Sequence, residues 1–424
     1  MPLADPFAAV FLSLLALSTA LRVWLAWRQI VHVRAHRDVV PPEFVDRIGP
    51  DDHRKAADYT IAKSRAGIAE TFADAVLLLL FTFGGLLAAI DTFWRATLGA
   101  PGIVHGLALF ASVGLVGALA GLPFTIHRTF FLEARFGFNK TTPSLFVADL
   151  ARQLVLTVLI GAPLIAAVLW LMDAMGERWW LWVWLVWLGF NLLALSLYPT
   201  FIAPLFNKFV PLPEGETKRR IEALLARCGF SSGGLFVMDG SKRSAHGNAY
   251  FAGFGRAKRI VFFDTLLDKL SPGEIEAVLA HELGHFKRRH LWKRIAAMAA
   301  LSLGFLWTLG QLIDQAWFYE ALKVGAGGTA TGLILFALIL PVFAFPLGPL
   351  LSWLSRRHEF EADAYAARQT SAADLVNALV KLYRDNAATL TPDPLHSLFH
   401  DSHPPASARI AYLKDNLPCL TRPT

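Results

Sequence analysis

His281, Glu282, Leu283, Gly284 and His285 form a stretch in which residue type and spacing point to one chemistry. Four positions is slightly more than one helical turn, so His281 and His285 project from one face and can share a single metal ion. Glu282 sits beside that pair, and in a zinc site of this spacing the intervening Glu is the general base that takes a proton from water. Zinc held by two His needs a third protein ligand and an open position. The extended motif with a further Gly and His is excluded, because Arg288 and Leu291 occupy those places. The third ligand must then be a carboxylate on another helix. Residues 356–368 offer Glu359 and Asp363, four apart on one face of an Ala-rich segment. Glu359 can ligate, while Asp363 can accept from a ligand His and fix its tautomer. Glu361 competes for the ligand role from another side of that helix.

The elements that must position these groups are legible. Ser271-Pro272-Gly273-Glu274 reads as a capping box with Pro at the first helical position. Ile275, Val278, Leu279 and Leu283 then supply an apolar face at helical spacing. Alone, the five residues also fit an ordinary amphipathic helix, and residues 356–368 also fit a solvated charged one. Both weaken as alternatives because each segment adjoins a membrane span. Upstream, Glu214 to Cys228 has the spacing of an amphipathic helix ended by Gly229. Leu235 to Met238, Ala249 to Phe254 and Arg259 to Phe263 are short β-type runs between turns, which predicts a small antiparallel sheet.

The chain has 424 residues, 55% hydrophobic and 17% charged, with a mean hydropathy of +0.45, which excludes an ordinary soluble domain. Spans of about 20 residues are expected at Pro6–Trp27, Ile68–Phe93, Ile103–Ile126, Gln153–Met172, Trp179–Pro199, Ile295–Phe318 and Thr329–Leu354. Arg28 to Arg65 reads as a cytoplasmic loop, and Arg22 can snorkel from the end of the first span. The net charge of +7 sits in particular loops, which reports topology and not a nucleic-acid partner. Seven spans with basic segments at His127–Lys140 and after Pro199 place the N-terminus outside and the C-terminus inside. Glu70 and Asp74 lie on one face of the second span, where carboxylates must look onto a polar cavity. The run Trp179 to Trp187 suits interfacial anchoring. Cys228 and Cys419 lack ligand spacing and read as packing residues.

The divisions that follow are 1–200 for membrane helices, 201–292 for the first part of a catalytic domain, 293–354 for a membrane hairpin and 355–424 for the second part. Four blocks then resemble, in order, the membrane-integral CAAX prenyl proteases of the type I family, zinc endopeptidases acting on isoprenylated C-termini. They are Ser244 to Phe251 with Arg259 to Leu267, the HELGH stretch, Glu359 to Asp363, and Ser402-His403-Pro404-Pro405 with Arg409. Phe136-Gly137-Phe138-Asn139-Lys140 also resembles that family. The resemblance implies a mainly α, polytopic protein whose seven helices enclose a chamber closed by a cytoplasmic α+β zinc protease domain. It implies that Asn248, Ala249 and Tyr250 lie on an edge strand pairing with extended substrate, although Asn248 also fits a turn. It assigns His403 to the developing oxyanion and Arg409 to positioning. A surface His-Pro turn and a solvated Arg are the alternatives. His246 and His290 read as surface or supporting groups.

The expected activity is hydrolysis of peptide or protein substrates, isoprenylated at the C-terminus, with one zinc per chain and Glu282 as base. A membrane quality-control protease resembling HtpX is the alternative. A transporter or receptor with structural zinc is disfavoured, since such sites are closed by four protein ligands and this sequence offers three and a base. The bilayer is the remaining partner: the inner membrane in a bacterium, the endoplasmic reticulum in a eukaryote.

Overall fold

The computed structural model describes residues 3–99, 101–252, 258–325 and 327–420, apart from the side chains of Ala252 and 416–420. Its membrane part opens with α1 (Ala4–Ala35), α2 (Pro50–Phe81), α3 (Leu86–Leu98), α4 (Ile103–Ile126), α5 (Pro143–Leu156), α6 (Ala162–Ala174) and α7 (Trp179–Leu197). Short π-helical turns extend α4, join α5 to α6 and lead α7 into α8 (Ala203–Phe206). Among the described residues six helices are long and apolar enough to cross a membrane, and α2 with α3 makes a seventh. That seventh is not the straight Ile68–Phe93 span expected. It bends by 47° where Thr82–Gly85 interrupt it, with Gly85 at φ +71 and the Thr82 hydroxyl bonded to the Leu78 carbonyl.

The ends of the helices also differ from expectation. α1 and α2 are each 32 residues, roughly 48 Å at 1.5 Å per residue, against a hydrocarbon core of about 30 Å. Their basic ends therefore leave the bilayer as helix, where a loop from Arg28 to Arg65 was expected. The helix expected to start at Gln153 begins at Pro143, capped by the Thr142 side chain. Arg22 lies over the Phe345 ring at 4.5 Å and, with Asp74, lines a cavity of about 310 Å³. Glu70 pairs with Arg128 at 3.0 Å. The Trp179–Trp187 stripe is divided, with Trp179 buried, Trp184 donating to the Ala299 carbonyl and Trp187 exposed.

Between 6% and 22% of each apolar span is buried. A solid bundle would bury one face of every helix. These helices are instead sparsely buried against one another, as helices standing around a chamber would be.

The next part of the chain adds β1 (Phe209–Pro211), α9 (Glu216–Arg227), β2 (Leu235–Met238), β3 (Ala249–Ala252), β4 (Arg259–Phe263), α10 (Asp264–Leu267) and α11 (Pro272–Lys287). The sheet is mixed, not antiparallel: its order is β1-β2-β4-β3, with β2 and β4 parallel. Its apolar runs could be read as strands, but not their neighbours. β4, with Ile260, Val261 and Phe262 buried, takes the centre and leaves β3 on an edge. The part of the expected strand beyond Ala252 lies outside the described residues. β1 was missed because three residues carry no period.

The chain then forms α12 (His290–Leu312), α13 (Ala316–Ala321), α14 (Thr329–Ala344), α15 (Gly348–Gln369), α16 (Ala372–Asp385), α17 (Pro394–His400) and α18 (Ala406–Leu420). The expected Ile295–Phe318 span is thus α12, begun earlier and ended at Leu312. A short 3₁₀ turn, Phe345–Leu347, couples α14 to α15, so the last span runs from Thr329 to Gln369. α11 packs on α9, α15 and α16 around a core that includes Ile221, Leu224, Phe262, Leu283 and Leu379.

Candidate active site

α11 starts as its sequence dictates. Glu274 N–H donates to Ser271 Oγ at 3.4 Å, and Ser271 N–H donates to the Glu274 carboxylate at 2.7 Å. Lys381 of α16 donates to the same carboxylate at 2.7 Å, tying the cap to a neighbouring helix. The second turn from the end lies against α15. A Cβ on Gly284 would stand 2.9 Å from Ala362 Cα and 3.0 Å from its carbonyl oxygen, so glycine sets how closely the two helices approach. At that separation His281, His285 and Glu359 converge. His281 Nε2 is 3.2 Å from His285 Nε2 and 3.4 Å from Glu359 Oε2, while His285 Nε2 is 3.3 Å from Glu359 Oε1.

Ligand atoms ~2.0–2.2 Å from a tetrahedral zinc lie roughly 3.3–3.6 Å from one another, which these spacings match. Glu359 Oε2 is buried without a hydrogen-bond partner. An ionised carboxylate oxygen in that state is stabilised by a cation, and the guanidinium of Arg409 at 3.7 Å is too far to hydrogen-bond it. The donor set therefore fits zinc, and among the described residues this is the one such group of three.

Behind the triad, Asp363 Oδ1 lies 2.8 Å from His281 Nδ1, and Arg409 of α18 holds both Asp363 oxygens at 2.6 and 2.8 Å. Arg409 is buried, not solvated, and its other nitrogen is 3.7 Å from Glu359. Burial opposes charge on His281, but Asp363 and Glu359 overcome it and lift the imidazole to about 9. Glu361 is not in the triad. It faces His290, whose Nε2 is 3.1 Å away.

Residues 29–208 match a family model described as CAAX prenyl protease N-terminal, five membrane helices, and residues 211–417 match Peptidase family M48. The chain belongs to peptidase family M48. It is 33% identical to a CAAX prenyl protease 1 homolog of Arabidopsis thaliana, over 96% of this chain and 97% of the relative. It is 32% identical to CAAX prenyl protease 1 of Saccharomyces cerevisiae, over 92% and 91%. The solved crystal structure of S. mikatae Ste24p superposes with a TM-score of 0.89 at 30% identity, covering 96% of this chain and 99% of that one. This M48 protein is accordingly a multi-pass, zinc-dependent membrane metalloendopeptidase acting on peptide or protein substrates.

Of the remaining expected residues of this M48 peptidase, His403 and Arg409 lie against Glu359 of the triad. His403 is 62% exposed, with Nε2 3.6 Å from Glu359 Oε1. Glu282 is half-buried and its side chain makes no hydrogen bond or ion pair with another described residue, which leaves its carboxylate free. Asn248 accepts from Ala249 N–H at 2.8 Å through its side chain and from Phe263 N–H at 3.0 Å through its carbonyl, so it also serves the turn into β3. Ala249, Tyr250 and Phe251 pair with β4 on one edge. A cleft of about 550 Å³ adjoins His403 and is lined by Tyr59, Lys63, His246, Asn386, His400 and Ser402 among others. His246 stacks on Phe138 at 4.3 Å and lies 3.5 Å from Glu133. Asn386, which the sequence did not single out, accepts from Gly247 N–H at 3.1 Å and supports that corner. An isolated Asn in a loop after a helix carries no signal of such a role.

Proposed function

We propose that this M48 peptidase hydrolyses peptide bonds near the C-terminus of prenylated CAAX-type substrates, a reading supported by relatives that carry the name CAAX prenyl protease 1. The reading rests on one observation: a His-His-Glu triad is shared between α11, which packs against the edge strand β3, and α15, the continuation of the last membrane span. A lipidated C-terminus can reach such a site from the bilayer side while its polypeptide lies extended along β3. The catalytic part comprises residues 201–292 and 355–424, interrupted by the hairpin 293–354 and preceded by the helices of 1–200. The site faces the cytoplasm, with the inner membrane or the endoplasmic reticulum as host.

His281, His285 and Glu359 hold the ion. Zinc, when bound, polarises the scissile carbonyl and brings water within reach of deprotonation near neutral pH. Glu282 takes the proton of the attacking water and delivers it to the leaving amine, a role its unpartnered carboxylate suits. His403 donates to the oxygen on which charge develops. Asp363 accepts from His281 Nδ1, keeping Nε2 free for the ion, and Arg409 fixes the Asp363 carboxylate in turn. Asn248, Ala249 and Tyr250 present main-chain groups to the substrate.

Mass spectrometry of products from a prenylated C-terminal peptide and its unprenylated twin tests the reading. The wild type should release the terminal tripeptide from the prenylated form at the higher kcat/KM, and Glu282→Ala should release none while retaining zinc. Equal cleavage of both peptides at scattered bonds would favour the HtpX-like quality-control alternative.

A further inference from the structure

His285 has no carboxylate directly behind it, unlike its partner His281. Its Nδ1 lies 3.0 Å from Nδ1 of His290, and His290 Nε2 lies 3.1 Å from Glu361 Oε2. His290 is 5% exposed, and its ring stacks on His358 at 4.0 Å with 14° between planes, so its orientation is fixed on three sides. In an unbroken helix, a residue five places on would point about 140° away from His285. The two rings meet because the helix breaks: Arg289 stands at φ +56, and α12 restarts at His290. A non-glycine residue with that φ costs of order 1 kcal/mol and persists where surrounding contacts impose it.

The contact allows one proton arrangement compatible with a metal. His285 Nε2 faces the triad and must be bare to ligate, so its proton is on Nδ1 and is donated. His290 Nδ1 must then accept, which puts the His290 proton on Nε2, and that N–H is donated to Glu361. Arg357 at 3.4 Å and Lys293 at 3.8 Å hold the Glu361 carboxylate in place as an acceptor. One turn and a half of α15 thus supplies three carboxylates with three tasks. Glu359 faces the ion, Asp363 stands behind His281, and Glu361 stands two steps behind His285.

The geometry points to His290 as a positioning residue through which Glu361 fixes the tautomer and ring orientation of the metal ligand His285. This rests on the ligand assignment made above and adds a function to two residues outside it. Outer partners of metal-bound imidazoles are worth ~10–100-fold in metal affinity.

The test uses the full-length protein in detergent, with zinc affinity read by competition against a chelator. His290→Ala should weaken zinc by ~10–100-fold. His290→Asn places a side-chain oxygen near the former Nδ1 and should recover most of that loss, as an acceptor for His285. Glu361→Gln should weaken zinc on its own, but add nothing in the His290→Ala background, because Glu361 acts only through His290. A role confined to packing would leave His290→Asn as poor as His290→Ala, and would make the two losses additive. Either result, or unchanged zinc affinity in His290→Ala, overturns the relay. His285→Ala is measured in parallel: zinc retained there at full affinity sinks the ligand assignment itself, whereas zinc lost there with His290→Ala unaffected sinks the relay alone. If His290→Ala does not fold, the comparison of wild type, His290→Asn and Glu361→Gln still decides, since equal affinity in all three excludes the relay.

Discussion

Two carboxylates crowd His281, and their pull decides how the site answers to pH. The imidazole is lifted to about 9 against the opposing effect of burial, chiefly by Asp363 and Glu359. A metal must displace that proton, so zinc affinity should fall about tenfold for each pH unit below 9 through this group and level off above it. Chelator competition between pH 7 and 10 measures the slope, and a flat profile up to pH 9 would contradict it. His403 presents a different case, exposed and 3.6 Å from Glu359. His403→Ala should keep zinc while kcat drops by ~10²-fold, the scale for one oxyanion donor. Normal turnover with zinc in place removes His403 from the chemistry. At this scale the sequence was informative where chemistry and helical period coincide: the spacings of His281 with His285 and of Glu359 with Asp363 are the ones the site uses, while the choice of Glu359 over Glu361 depends on how α15 packs. His290 was not legible in this way, because its partnership with His285 depends on a backbone break at an arginine that no glycine announces.

The pair α11 and α15 is the element on which the metal geometry depends, and Gly284 sets its separation. Gly284→Ala forces a methyl against Ala362 backbone atoms and should push the helices apart. The expected cost is roughly 1–3 kcal/mol of stability, with weaker zinc binding as the specific sign. Thermal unfolding together with zinc titration checks it, and wild-type affinity at wild-type stability would show that α15 can yield. Helix existence was readable throughout, since apolar runs and caps are local. The bend at Thr82–Gly85 and the strand order β1-β2-β4-β3 were not, because both are settled by what packs against them. The helical ends of α1 and α2 were misread for a related reason: basic residues leave the membrane whether or not the helix continues.

For the whole molecule, the segment after α4 binds to the catalytic part directly. Lys140 N–H donates to the Arg243 carbonyl at 3.1 Å, and Asn139 bridges to Ser244. Both therefore share one side of the membrane. In a chain carrying Cys228→Ser and Cys419→Ser, a cysteine at exposed position 140 should label from the cytoplasmic side of sealed vesicles alone. Labelling from the opposite side only would invert the topology. The chamber could not be read from periodicity, because an apolar helix looks the same in sequence whether it faces lipid or a void. Resemblance supplied it, and it fits the fold shared with the solved Ste24p structure. The uninterrupted course from Thr329 to Gln369 also imposes an order on biogenesis. The two histidines leave the ribosome first, but Glu359 reaches them only once the final hairpin has been threaded into the lipid, and Arg409 and His403 follow later still. A nascent or half-inserted chain is consequently inert, with proteolytic competence arriving at the last step of membrane integration.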